Sequence, residues 1–190
     1  LTSAGAGAPC AFEAIPSAGG WEYVSTVTAS NSATVSFTNM ADGYNYKYDI
    51  EHLIPITDTA QFQSKVGIAG PTYRTSLYRS TMASINTSGA SLSYEATAVM
   101  TLSGGTGQQT CGTNTNEESQ VILILWHPAN ASDKTTWQSD GVLLGADAIL
   151  HRVSGSGLYT TAEAQTSLQF LFSSGNISSG TFSQYRQSRT

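Results

Sequence analysis

"FLFSSGNISSGTFSQYR", residues 170–186, sets two apolar alternations on either side of a small polar link. Leu168, Phe170 and Phe172 alternate with Gln169, Leu171 and Ser173, the period of two that marks a strand with one buried face. Gly175 and Gly180 bracket Asn176 to Ser179. Gly and Asn reach positive φ cheaply, so the chain can reverse there. A second alternation follows, with Phe182, Gln184 and Arg186 on one face and Thr181, Ser183 and Tyr185 on the other. The expectation is a hairpin with a long loop that ends the domain on a strand.

The composition agrees with β structure. Only 11% of the 190 residues are charged, against roughly 25% in ordinary soluble domains. Ser and Thr make up about a quarter of the chain, a content that disfavours helices because their hydroxyls compete for backbone hydrogen bonds. The 8 Lys and Arg are scattered singly and the net charge is −5, which argues against a nucleic-acid partner. No apolar run approaches the ~20 residues of a membrane helix. Leu1 is neither an initiator Met nor part of a signal peptide, so the numbering is expected to start inside a longer chain or after processing.

Outward from the opening stretch, the same period recurs. Strands are expected over 21–28, 34–39, 47–56, 60–68, 72–85 and 91–102, with others over 120–128 and 137–164. In 47–56, Tyr48, Ile50 and His52 fall on one face and Lys47, Asp49, Glu51 and Leu53 on the other. In 91–102, Leu92, Tyr94, Ala96, Ala98, Met100 and Leu102 share a face. Residues 103–119 read as a long polar loop, and 1–20 as a linker of small residues with Pro9 and Pro16. Nine or ten short strands and no helix indicate an all-β antiparallel β-sandwich over 21–190, jelly-roll-like, behind an extended segment at 1–20.

Catalytic and metal chemistry finds little support. His52, His127 and His151 lack zinc-ligand spacing. Asp49 and Glu51 read as a solvated pair rather than as glycosidase acids. Glu117 and Glu118, with Asn114 and Asn116, form at best a weak calcium pattern. No catalytic residue, cofactor site or metal site is assigned. Tyr44, Tyr46, Trp126, Trp137 and Tyr159 fall in or beside expected loops, and Tyr44, Tyr46, Trp137 and Tyr159 are the candidate ligand-contact aromatics, with core capping as the other reading. Cys10 and Cys111 lie in the linker and the long loop, so nothing sets them at bridging distance and both are expected as free thiols.

Trp21–Glu22, Ile54–Asp58 and the run from Phe172 to Tyr185 resemble motifs in the C-terminal head domains of fibre, spike and head-fibre proteins of dsDNA phages. "LTSAGAGAP" at the N-terminus resembles the joint between a fibre shaft and such a head. The chain departs from that pattern at Cys10 and in the tail Gln187–Thr190. The resemblance spans Leu1 to Arg186, and its motifs are structural. It implies a virion surface protein, assembled in the host cytoplasm, for host attachment or particle decoration. Its implied partners are two further copies of itself, other virion proteins on the N-terminal side, and a host-surface glycan or protein. Residues 1–18, rich in Ala, Gly, Ser and Pro, are expected near the three-fold axis of a homotrimer. A secreted carbohydrate-binding module with the same sandwich is the alternative.

Overall fold

The computed structural model describes residues 19–104, 110–114, 116–145 and 148–189. The linker expected over 1–20, the axial position expected of 1–18, and Cys10 therefore lie outside the described residues, apart from Gly19 and Gly20. The described chain has no helix; it is an antiparallel β-sandwich of an eight-stranded and a five-stranded sheet.

Its topology follows from four nested pairings. β1 (Glu22–Ser32) pairs β13 (Ile177–Ser188), and β2 (Val35–Phe37) pairs β12 (Ser167–Phe172). β3 (Tyr44–Pro55) pairs β9 (Ser119–Trp126), and β4 (Phe62–Ile68) pairs β5 (Thr72–Tyr73). One long antiparallel ribbon of this kind, rolled so that successive strands alternate between sheets, is the jelly roll. Two additions widen it. β6 (Tyr78–Asn86) with β7 (Gly89–Thr97), and β10 (Lys134–Leu144) with β11 (Leu150–Ala162), continue the β9 edge. The larger sheet then runs β1-β13-β3-β9-β10-β11-β6-β7. β8 (Met100–Thr101) pairs β4 in the smaller sheet and packs against β6.

The core lies between the sheets, where the alternations meet. Phe170 sits among Phe37, Tyr48, Phe62 and Phe182 with ring centroids 5.2–6.3 Å apart across the group. Its ring is parallel to that of Phe62, at an interplanar angle of 9°. Two buried tyrosine hydroxyls are held in place: Gln184 donates to the Tyr48 hydroxyl at 3.0 Å, and the Val66 amide donates to the Tyr78 hydroxyl at 3.0 Å.

Several expectations need correction. The closing pair of strands is not a hairpin. β12 pairs β2 and β4 in one sheet, while β13 pairs β1 and β3 in the other, so the link carries the chain across the sandwich. Two alternations flanking a Gly-bounded link fit both arrangements, and periodicity cannot separate them. The link is also shorter than expected, because β13 begins at Ile177 and Gly180 pairs Ala29 within it. Gly175 makes the turn at φ +70°, and a Cβ there would stand 2.2 Å from Thr57 Oγ1.

In β3 the face alternation breaks after Ile50. His52 adopts φ +53° and its ladder with β9 skips to Leu53. This bulge turns Leu53 into the core, on the side with Tyr48 and Ile50, and leaves His52 outside. The strand expected over 72–85 is β5 and β6, separated by Leu77 at φ +70°. That expected over 91–102 is β7 and β8, in different sheets.

Cys111 lies in the core rather than in an open loop, bridging Ala60 and Gly145. It is a free thiol, and burial pushes its pKa up to about 12. Because the thiolate is the nucleophile, Cys111 is expected to stay unmodified by a thiol reagent in the native protein. It should react at once on unfolding without reductant. Titration before and after denaturation reads this, and rapid native labelling at Cys111 would contradict the burial.

Candidate functional site

The larger sheet has two faces of different character. Its inner face meets the core. Its outer face is uncovered by the other described residues, and the ladders fix which side chains it presents. Trp126, Thr136, Leu158 and Arg79 lie in one row across adjacent strands. The next row holds Lys47, Ile124, Gln138, Ser156, Thr81 and Tyr94. Asp49, Ile122, Asp140, Ser154, Ala83 and Leu92 follow, and then Gln120, Val142, Arg152, Ile85 and Ala90.

Nine large apolar side chains are exposed among the described residues. Seven of them stand on this face: Tyr23, Ile85, Leu92, Tyr94, Ile122, Val142 and Leu150. Only Ile56 and Leu77 lie elsewhere. Single exposed apolar residues are ordinary, but their concentration on one face is not. Tyr94, at 79%, and Leu92, at 67%, are the most exposed of all, on the edge strand β7.

Polar groups between them are largely paired. Arg152 donates from Nε and Nη2 to the two Asp140 oxygens at 3.4 and 2.8 Å, which raises the guanidinium pKa. Lys47 Nζ reaches Asp49 Oδ2 at 2.9 Å and lies 4.4 Å from the centre of the Tyr185 ring. Asp49 Oδ1 has no partner. The Thr81 and Ser156 hydroxyls are 3.2 Å apart. Beside this face, His52 Nδ1 meets Glu118 at 2.6 Å, and that hydrogen bond raises the imidazole pKa.

Open depressions of about 530 and 470 Å³ adjoin Tyr94, over Thr81, Gln138 and Ser156 and toward Arg79 and Leu158. Another of about 450 Å³ lies over Ile122, Asp140, Val142 and Arg152. Such a surface offers apolar contact, hydroxyl and amide hydrogen bonds, and paired charge, which is the chemistry of binding. Among the described residues, no group of three or more His, Cys, Asp and Glu stands together to hold a metal ion. Glu117 instead accepts from the Asn114 backbone amide and Nδ2, closing its own turn.

The aromatic residues expected at a ligand site do not reach this face. Tyr46, Trp137 and Tyr159 are 1%, 2% and 4% exposed and sit in the core, on inward positions of β3, β10 and β11. Tyr44 is half-buried, with the Arg186 guanidinium 4.7 Å above its ring. The expected strand at 47–56 begins just after Tyr44 and Tyr46, whereas Trp137 and Tyr159 stand within expected strands, next to turn residues, where sequence alone does not separate an inward ring from an exposed one. Sequence reading missed Tyr94 and Leu92, whose apolar alternation suits an inward face. Only the register with β6, which pairs Tyr94 with Thr81 and Leu92 with Ala83, turns them outward. Comparison with protein families, curated proteins and solved structures finds no match to this chain.

Proposed function

We propose that this chain is the head domain of a phage virion fibre or spike, displayed on the particle surface and acting by binding rather than by catalysis. The single observation that carries the reading is the open outer face, which gathers seven of nine exposed large apolar side chains on one side of a sheet. A hydroxyl-rich, charge-poor sandwich with one such face suits a protein that docks against neighbours or a host surface. The resemblance of Trp21–Glu22, Ile54–Asp58 and Phe172–Tyr185 to motifs of fibre heads is what suggests the virion context. Other virion proteins join on the N-terminal side, and the head contacts the host.

The test is to raise antibodies against residues 19–190 and label purified particles for electron microscopy. Labelling at fibre tips or on the particle exterior is the expected result. A chain absent from particles and present free in the medium would overturn it. The exposed Tyr94 ring beside Thr81, Gln138 and Ser156 favours a second reading, a secreted carbohydrate-binding module. Glycan-array binding by an isolated chain, abolished by Tyr94→Ala, would select it.

A further inference from the structure

We infer that the outer face of the eight-stranded sheet is the interface between copies of this chain. The inference rests on the fibre-head reading and names the partner of the same face.

The first reason is the patterning of β9. Its inward residues Val121, Leu123 and Leu125 are buried, as a core strand requires. Its outward residues Ile122, Ile124 and Trp126 are also apolar. An antiparallel strand with one wet face alternates apolar and polar residues, whereas a strand covered on both sides reads as a continuous apolar run. β9 has the second pattern, yet among the described residues only one of its faces is covered. β7 goes further, with Ser91 and Ser93 on the inner side and Leu92 and Tyr94 outside. Both strands have sequences suited to a second layer over the outer face.

The second reason is width. The apolar positions spread over five adjacent strands, from β9 to β7. At ~4.8 Å per strand that is roughly 19 Å, and the Leu150–Leu158 stretch of β11 adds a length of roughly 26 Å. The projected area is roughly 500 Å², and the accessible surface of a corrugated face is larger. A stable protein interface takes about 800 Å² from each partner. A sugar subsite is narrower and would gather its rings and hydrogen bonds in one groove.

The third reason is charge. Across these rows the outward charges are Lys47, Arg79 and Arg152 against Asp49 and Asp140, and Glu51, beside Asp49 and Arg152 at the β3 bulge, brings the two signs level. The whole chain carries −5. A second copy therefore meets no net like charge here, although it would on average elsewhere. The edge agrees. β7 pairs β6 over its full length without a register shift and carries neither Pro nor Lys, the usual guards of a free edge.

The experiment is light scattering and sedimentation of the full 190-residue chain and of single variants over a wide concentration range. Wild type is expected to exceed the 20.0 kDa chain mass, at three chains. Ile122→Glu and Leu92→Glu should each raise the concentration of half-dissociation by roughly tenfold or more, because each buries an unpaired charge. Ile56→Glu, at an exposed apolar site off the face, should leave assembly unchanged. Circular dichroism checks the fold. Should a Glu variant fail to fold, Ile122→Thr with Leu92→Ser replaces it and should weaken assembly in the same direction. A wild-type monomer at every concentration overturns the inference, as does a folded Ile122→Glu or Leu92→Glu protein that assembles like wild type. Particle labelling remains the separate test of the fibre-head reading. A two-chain assembly broken by these variants would keep the interface and overturn the trimer.

Discussion

Replacing Phe170 by alanine is expected to remove roughly 3–5 kcal/mol of folding stability, the largest loss for a single side chain in this protein. Phe170 is fully buried at the centre of the aromatic group, stacked on Phe62 at 5.7 Å and against Phe182 at 5.3 Å and Tyr48 at 5.5 Å. Those rings come from β3, β4 and β13, so a cavity there weakens both sheets at once. The neighbours are rigid and cannot collapse into the space. Leu171→Ala, one residue along and facing the other way, should cost under about 1 kcal/mol. Denaturant unfolding of the two variants reads the difference. Similar midpoints would mean that the sheets do not meet at Phe170.

Gly157→Ala is expected to be the most damaging of the small substitutions, at about 1–3 kcal/mol. A Cβ on Gly157 would stand 2.2 Å from the Arg79 carbonyl oxygen and 2.7 Å from the Trp137 ring. The carbonyl belongs to β6 and cannot swing away without breaking its ladder with β11. At Gly155 the same methyl would meet mainly the Met82 sulfur, at 2.0 Å, and a flexible thioether can move. At Gly20 it would meet nothing within 4 Å. Thermal unfolding should therefore rank the alanine variants with Gly157 lowest, Gly155 between and Gly20 close to wild type. Trp137 fluorescence should shift only in the first. An unperturbed Gly157→Ala protein would refute the close approach of β6, β10 and β11.

Local pattern carried much of the fold. Phe170 with Phe172, and Phe182 with Gln184, were assigned to their correct faces by period alone, because each strand is wet on one side and dry on the other. The thin charge and abundant Ser and Thr excluded helix for a reason internal to each residue. Features set by distant partners were not legible. Whether β12 and β13 form a hairpin or cross between sheets depends on β1, β2, β3 and β4, which lie far away in the sequence. The bulge at His52 shifts the face of Leu53, and no rule of alternation anticipates an added residue. The candidate site was hidden for the same reason. Tyr94 is a strand residue with an apolar alternation, and it faces outward only because β6 fixes its register. Tyr46, Trp137 and Tyr159 looked available because aromatic residues near expected turns are ambiguous until burial is known.

The nested ladders also bear on how the chain is made. Among the described residues β1 is an edge strand whose one neighbour in the sheet is β13, the strand made more than 140 residues after it. Until Ile177–Ser188 has emerged, β1 has nothing to pair with and one side of β3 is open. The jelly roll therefore cannot close vectorially from its N-terminal side. Its contacts join residues far apart in sequence, the class of topology that folds in milliseconds to seconds rather than microseconds. During synthesis the nascent chain waits with unpaired strands, and completion of β13 is the event that commits it. A chain cut within β13 should accordingly aggregate, not give a smaller folded protein.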